Sequence, residues 1–363
     1  MWVYLLLLVV VAIILLFSMI YIVKLTHKYV SKKIKNKLLS WLISFIPVIL
    51  LIIGVFIDIT NVIVIYLHLI VIIFITKLIF KLINKITNKK TSEYVVLITG
   101  IVISCIVLLF AYYSAYHVVE TNYMLYTEKD IGLDNFKLVQ ISDSHIGTTM
   151  DGKKFSNYME DINKLNPDIV VITGDFIDDN TTNNDLIEAS IGLGKLRTKY
   201  GVYFIYGNHD KGYYNRNQAT NIKDNLIKNN VIILEDAYIN ITDKIILVGR
   251  QDKSVNNRVD ITTLTKDIDK SKYIIVLDHQ PNDYDNEEKA KVDLVLSGHT
   301  HGGQLIPLGQ FGVLLGSNDR RYGIETRDTT TFIVNSGISD WAIKFKTGTK
   351  SEYVVVNIKK KIN

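Results

Sequence analysis

Four long apolar runs occupy the first third of this chain, and they restrict its folding options more than any other feature. Residues 2–23 carry no charged side chain, and neither do Leu38–Ile57 and Ile59–Thr76; Tyr94–Tyr116 is the fourth run. Each approaches the roughly 20 helical residues needed to cross about 30 Å of hydrocarbon. Pro47 inside the second run is tolerable where neighbouring helices satisfy the freed backbone groups. Between the second and third runs only Asp58-Ile59-Thr60-Asn61 is available as a turn, which predicts a tight helical hairpin. The first run lacks the basic flank and small-residue cleavage site of a secretory leader, so it reads as a retained span.

Charge is distributed just as unevenly. Residues 1–115 hold 11 Lys and no Arg against Asp58 and Glu93, a net of +9. The remainder holds 30 of the 41 basic and 34 of the 36 acidic groups, a net of −4. The lysines fall into two clusters, Lys24 to Lys37 and Lys77 to Lys90, both on the same side of a four-span arrangement. The positive-inside rule makes that side cytoplasmic and places the N-terminus and everything after residue 116 outside the cell membrane. The division expected is a multi-pass anchor over residues 1–116 and a globular domain over 117–363. The negative outer domain, without a basic stripe carrying interleaved aromatics, excludes nucleic acid as a partner. The single Cys105 rules out an intrachain disulfide framework.

Beyond residue 116 the pattern is strand, loop, helix, repeated, as in layered α/β folds. Val118–Leu125 reads as a first strand, followed by Phe136–Ile141, Asp168–Thr173, Gly201–Tyr206, Lys244–Val248, Tyr273–Leu277, Asp293–Leu296 and Thr331–Val334. Lys153–Leu165 and Asn217–Lys228 read as helices. Five of the strands run directly into polar loops: Ser142-Asp143-Ser144-His145, Gly174-Asp175-Phe176-Ile177-Asp178, Gly207-Asn208-His209-Asp210, Asp278-His279 and Gly298-His299-Thr300-His301. Ligands of layered α/β sheets bind beyond the carboxyl ends of the strands. Five of the eight histidines lie in these loops, whereas core packing would scatter them. Imidazole, carboxylate and carboxamide donors suit Mn, Fe, Zn or Co rather than calcium or a thiolate zinc site. Seven donors over-supply one ion; two divalent ions sharing a carboxylate account for the number, with Mn favoured.

The order D-x-H, G-D-x-x-D, G-N-H-D, a lone His after a strand, and G-H-x-H across residues 136–304 resembles the calcineurin-like metallophosphoesterase superfamily. The resemblance implies a four-layer α-β-β-α sandwich, here preceded by a four-helix transmembrane region. It implies that Asp143, His145 and His301 hold one ion, that Asp175 bridges, and that Asn208, His279 and His299 hold the second. It further implies in-line attack by a metal-bridging hydroxide, protonation of the departing oxygen by His209, and orientation of that imidazole by Asp178. Asp210 is a weaker candidate for the same support. Asp179 stands where phosphoprotein phosphatases carry Arg, and the H-T-H-G-G-Q continuation looks like the bacterial membrane-associated branch, related to lipid and nucleotide-sugar pyrophosphatases.

The substrate expected is a phosphodiester, pyrophosphate or phosphomonoester, with a lipid-linked one favoured by the short tether. Arg250, Arg320 and Arg321 are candidate partners for a second phosphate, and Tyr213, Tyr214 and Arg216 candidate contacts to the leaving group. The alternatives are a hydrolase of soluble nucleotide or sugar phosphates, with helices as anchor only, and a transporter or sensor with a metal-binding outer module. The spans speak against transport, since His68 is the one ionisable group at mid-span. No protein partner is implied.

Overall fold

The computed structural model describes residues 2–211 and 221–361. Tyr213, Tyr214, Arg216 and the start of the helix expected over Asn217–Lys228 lie outside the described residues. The chain forms two compact units, Met1–Phe110 and Ala111–Asn363.

The first unit is built from α1 (Trp2–Lys33), α2 (Lys37–Thr87) and α3 (Glu93–Tyr116), whose last turn belongs to the second unit. All three helices are long and apolar enough to cross a membrane. The second and third apolar runs of the sequence both lie in α2, which is broken at Asp58 (φ −154°, ψ 84°). Asp58 Oδ1 accepts the backbone N–H of Asn61 at 3.1 Å, capping the segment that follows. A Cβ placed on Gly54 would stand 3.1 Å from Val62, eight residues on. In an unbroken helix that separation is about 12 Å, so the chain doubles back at Asp58. Polar groups of this unit pair internally: Ser18 Oγ with Tyr66 OH at 3.0 Å, and His27 Nδ1 within 3.3 Å of the Ser40 and Ser44 hydroxyls.

The second unit contains β1 (Val118–Thr127), β2 (Phe136–Ile141), α4 (Gly152–Asn163), β3 (Ile169–Thr173), α5 (Asn183–Gly194), β4 (Val202–Ile205), α6 (Ile222–Lys228) and β5 (Val231–Ile233). There follow β6 (Ala237–Asn240), β7 (Ile245–Gly249), α7 (Ile261–Leu264), β8 (Tyr273–Leu277), α8 (Tyr284–Lys289), β9 (Leu294–Ser297), α9 (Phe311–Leu314), β10 (Gly323–Arg327), β11 (Thr330–Val334) and β12 (Ser351–Lys360). Two six-stranded sheets result, ordered β1-β12-β2-β3-β4-β5 and β10-β11-β9-β8-β7-β6. The central strands β2, β3 and β4 run parallel, as do β7, β8 and β9. β3 reads Ile-Val-Val-Ile-Thr and is buried throughout, the signature of a parallel strand covered on both faces.

Alternation divides the apolar side chains among three clusters. Val139, Ile141, Val170, Ile172 and Phe204 pack with Phe155, Met159 and Ile162 of α4 and Leu186, Ala189 and Leu193 of α5. Their neighbours Leu138, Val171 and Ile205 pack instead with Leu247, Ile275 and Leu296 of the other sheet. Ile246, Val276 and Phe332 join Ile261 and Tyr284 in the third cluster. α4 begins at Asp151, whose carboxylate accepts the N–H of Lys154 at 2.7 Å, and buries Phe155, Met159 and Ile162 at helical spacing. The carboxyl ends of β2, β3, β4, β8 and β9 therefore open toward a common edge.

Candidate metal centre

The five polar loops meet at that edge. Asp143, His145 and His301 form one group of donors and Asp175, His279 and His299 a second, each with ligand atoms within 4.8 Å of one another. Asp175 Oδ2 stands between them, 3.1 Å from His279 Nε2 and 3.6 Å from His145 Nε2. Asn208 Oδ1 lies 3.1 Å from His279 Nε2, so the carboxamide faces the second group. His301 Nε2 points at His145 Nε2 at 3.1 Å and lies 3.8 Å from Asp143 Oδ1.

The donor set fits divalent cations. His279 Nδ1 lies 2.8 Å from the Thr173 carbonyl, which only accepts, so Nδ1 carries hydrogen and Nε2 faces the oxygens of Asp175 and Asn208. Burial pushes His145 down to about 4, against the pull of Asp175. Burial also pushes His299 down to about 4, with the neighbouring His279 adding to the effect. Both rings are thus neutral near pH 7, the form that ligates a metal. His279 is likewise buried, but the Asp175 carboxylate outweighs burial and raises its pKa well above that of a free imidazole. Asp175 is buried too, yet the imidazoles of His279, His145 and His209 hold it far below the carboxylate range. A cation at this point would take the place of the proton that Asp175 draws onto His279.

Backbone conformation marks the same residues. Asp143, His145, Asp175, His299 and His301 all have positive φ, between 35° and 69°. Non-glycine residues adopt that region at a cost of roughly 1–2 kcal/mol each. Glycines provide the close approach: a Cβ on Gly207 would lie 2.1 Å from Asp175 Oδ1, and one on Gly298 1.7 Å from Ser142 Oγ. Asp143 is held by the backbone N–H of His299, at 2.8 and 3.0 Å, and by the Ser142 hydroxyl at 2.5 Å.

His209 belongs to a third group of possible ligands, with Asp178 and with His145 of the first group. Its ring lies 4.8 Å from that of His145, edge-on, and 5.4 Å from the half-exposed Trp341. Asp178 Oδ1 lies 3.5 Å from His209 Nδ1, and Asp178 Oδ2 lies 3.7 Å from His145 Nδ1, so one carboxylate faces two imidazoles. Burial opposes ionisation of His209, but the contact with Asp178 and the charges of Asp175 and Asp210 raise its pKa. Asp210 adds its charge to the surroundings of that imidazole, and it also has a structural part. Its carboxylate accepts the N–H groups of Phe176, Ile177 and Gly207 at 2.8, 3.1 and 2.8 Å and ties two ligand loops together. Burial and the nearby Asp175 push Asp210 up to about 7.

Two residues that matter here escape sequence reasoning. Asp340 Oδ1 lies 3.7 Å from His301 Nδ1 and 3.0 Å from Lys346 Nζ, and both charged side chains are fully buried. Asp252 receives Gln280 Nε2 at 3.0 Å on each oxygen, beside His279. Both follow strands, β11 and β7, and so repeat the strand-end pattern without a histidine to flag it. Of the three arginines considered for a second phosphate, Arg250 is buried among Asp278, Asp283 and Glu287, at 2.8, 2.7 and 3.4 Å. Arg320 is engaged by Glu325 and the carbonyls of Tyr322 and Ile324. Arg321 lines a cavity of about 300 Å³ beside His299, Thr300 and Asn318, and its guanidinium has no partner among the described residues. Its carbonyl accepts the Thr300 hydroxyl at 2.6 Å, between two candidate ligands.

Comparison with known proteins agrees with this geometry. Residues 136–303 match the family model described as calcineurin-like phosphoesterase. An uncharacterized metallophosphoesterase of Aquifex aeolicus is 30% identical over 259 residues, which cover 70% of this chain and 97% of the relative. A transmembrane protein with metallophosphoesterase domain from Bos taurus is 31% identical over 238 residues, covering 61% of this chain and 52% of the relative. An uncharacterized metallophosphoesterase of Campylobacter jejuni is 29% identical over 231 residues, covering 62% of this chain and 60% of the relative. The chain thus spans between half and two thirds of the latter two proteins. With the five motif blocks converging on one edge and a relative matched along nearly its whole length, the chain belongs to the calcineurin-like metallophosphoesterase family.

Proposed function

We propose that this protein is a membrane-anchored two-metal phosphoesterase that hydrolyses a phosphodiester, pyrophosphate or phosphomonoester, with a lipid-linked substrate favoured. The observation that carries the reading is the placement of Asp175 Oδ2 between two groups of nitrogen and oxygen donors. Asp143, His145 and His301 would hold one cation, Asn208, His279 and His299 the other, and Asp175 would serve both, with Mn the preferred metal. When bound, such a pair supplies Lewis acidity at the phosphoryl oxygens and a strong nucleophile near neutral pH. His209 then holds the proton for the departing oxygen at its Nε2, because Asp178 occupies the Nδ1 side at 3.5 Å. Asp178 also faces the His145 ring at 3.7 Å, so its loss changes the charge beside both the acid and a ligand.

The three apolar clusters support a four-layer α-β-β-α sandwich for residues 117–363. The reversal at Asp58 supports four spans over residues 1–116, and the positions of the two Lys clusters support a domain on the extracytoplasmic side. Only His117 separates α3 from β1, which suits a substrate presented by the bilayer.

The test is metal content and turnover of the full-length chain in detergent, beside Asp175→Asn. The expected result is close to two divalent ions per chain, falling in the variant, with hydrolysis of at least one ester class by Mn-loaded enzyme and a faster rate on long-chain than on short-chain alkyl pyrophosphates in mixed micelles. Full metal content and undiminished turnover in Asp175→Asn refute the two-metal site, and equal rates on the two chain lengths refute the lipid-linked substrate.

A further inference from the structure

Away from the metal centre, lysines that are distant in sequence converge on one cavity of about 650 Å³ in the helical unit. Lys24 and Lys28 reach it from α1, Lys77 and Lys81 from α2, and Lys90 from the loop before α3, with Glu93 as the one acidic group in its lining. Glu93 is paired with Lys28, and Lys77 Nζ lies 4.3 Å from the centre of the Tyr21 ring. Lys24, Lys81 and Lys90 have no acceptor among the described residues. Five ammonium groups against one carboxylate repel one another, and at the edge of an apolar helix bundle water screens that repulsion less than it would in bulk. An anion bound among them removes the penalty.

The remaining wall describes the anion further. Leu25, Phe80, Val96 and Leu97 line the same cavity, so it has a basic rim and an apolar side. A small hydrated anion satisfies the rim and leaves the apolar wall wet. A glycerophospholipid satisfies both, with its phosphate at the lysines and the root of its acyl chains along the aliphatic and aromatic side chains. We propose that this cavity binds the headgroup of an anionic phospholipid. The proposal rests on the helices being membrane spans and is independent of the metal centre and its chemistry.

The test titrates the full-length chain in detergent, by native mass spectrometry, with phosphatidylglycerol, with phosphatidylcholine of the same acyl composition, and with glycerol phosphate as a headgroup without chains. Phosphatidylglycerol is expected to bind most tightly of the three. Combined Lys24→Gln, Lys77→Gln and Lys81→Gln should weaken it about a hundredfold, taking roughly a factor of five per lysine. Combined Lys33→Gln, Lys35→Gln and Lys37→Gln removes the same charge from residues that do not line the cavity, and should retain most of the affinity. Combined Lys24→Arg, Lys77→Arg and Lys81→Arg should retain it as well, which keeps the comparison decisive should the Gln variant fold poorly. Equal binding of the two lipids, or an equal loss in both Gln variants, overturns the proposal. Glycerol phosphate binding as tightly as phosphatidylglycerol overturns the assignment to a lipid.

Discussion

Replacing Lys346 by Met should unfold the catalytic unit at a much lower temperature, although Lys346 is none of the proposed ligands. Its ammonium group is fully buried, donates to the Ser336 carbonyl at 2.8 Å and the Ser351 hydroxyl at 3.3 Å, and forms an ion pair with Asp340 Oδ1 at 3.0 Å. Met fills a similar volume but leaves the Asp340 carboxylate buried with no cation and the Ser336 carbonyl without its donor. Removing one partner of a buried pair costs about 3–5 kcal/mol. For a domain of this size each kcal/mol lowers Tm by about 2–4 °C, so the expected drop is roughly 6–20 °C. The assay is thermal unfolding of the full chain in detergent, followed by the emission of Trp341 in a background of Trp2→Phe and Trp41→Phe. Adding Asp340→Asn to Lys346→Met should recover part of the loss, a coupling of about 0.5–3 kcal/mol, since the uncompensated charge is then gone. A Tm within about 1 °C of the parent in Lys346→Met refutes the reasoning, because a buried pair of this geometry cannot be silent.

Asp340→Asn alone should lower cation affinity about 10- to 100-fold through His301, measured by competition with a fluorescent chelator; unchanged affinity would show that Asp340 serves only Lys346. Glu325→Gln should cost about 1 kcal/mol or less near neutral pH. Hydrogen bonding to Arg327, then to Arg320, lowers the Glu325 pKa from 4.5, so its contribution is present above the unfolded value and disappears as pH falls through the folded one. The Tm gap to wild type should therefore close as pH drops from 7 to below 4.5, and a gap that widens in acid would contradict the sign. Arg321→Gln should reduce kcat/KM for a dialkyl pyrophosphate about 10- to 100-fold relative to a one-phosphorus diester, as expected for a lost charged hydrogen bond to the second phosphate. Arg320→Gln, whose parent guanidinium is already engaged, should leave that ratio alone.

The sequence displays what is local and hides what long loops bring together. β2 and β8 occupy the residues expected, and β3, β4, β7, β9 and β11 differ by a residue or so at their ends, because runs such as Ile169–Thr173 are buried on both faces and read as continuous apolar segments. β12 is not among the expected strands, although Tyr353–Val356 is a clear apolar run. Its place between β1 and β2 depends on pairing across more than 200 residues, which no periodicity reports. The short edge strands β6 and β10 escape notice for another reason: one face of each is exposed, so little apolar pattern remains. Arg250 illustrates the limit for side chains. In sequence it reads as a free guanidinium near the site, and only the fold shows Asp278, Asp283 and Glu287 surrounding it.

Why the ligand motifs are so readable follows from the strain they carry. Five of the seven proposed ligands sit in left-handed backbone conformations at the ends of buried strands, and each needs a neighbour that keeps it there. For Asp143 that neighbour is the His299 N–H; for Asp175 it is the bare face of Gly207 together with the N–H of His209 at 2.9 Å. Both supports come from another ligand loop, so these loops hold one another in place. Short residue strings with fixed Gly, Asp and His therefore satisfy a cooperative backbone requirement as well as a chemical one. The same reasoning explains why Asp210, a carboxylate with three backbone donors and no place among the seven, appears inside the G-N-H-D block: it closes the turn that aims Asn208 and His209.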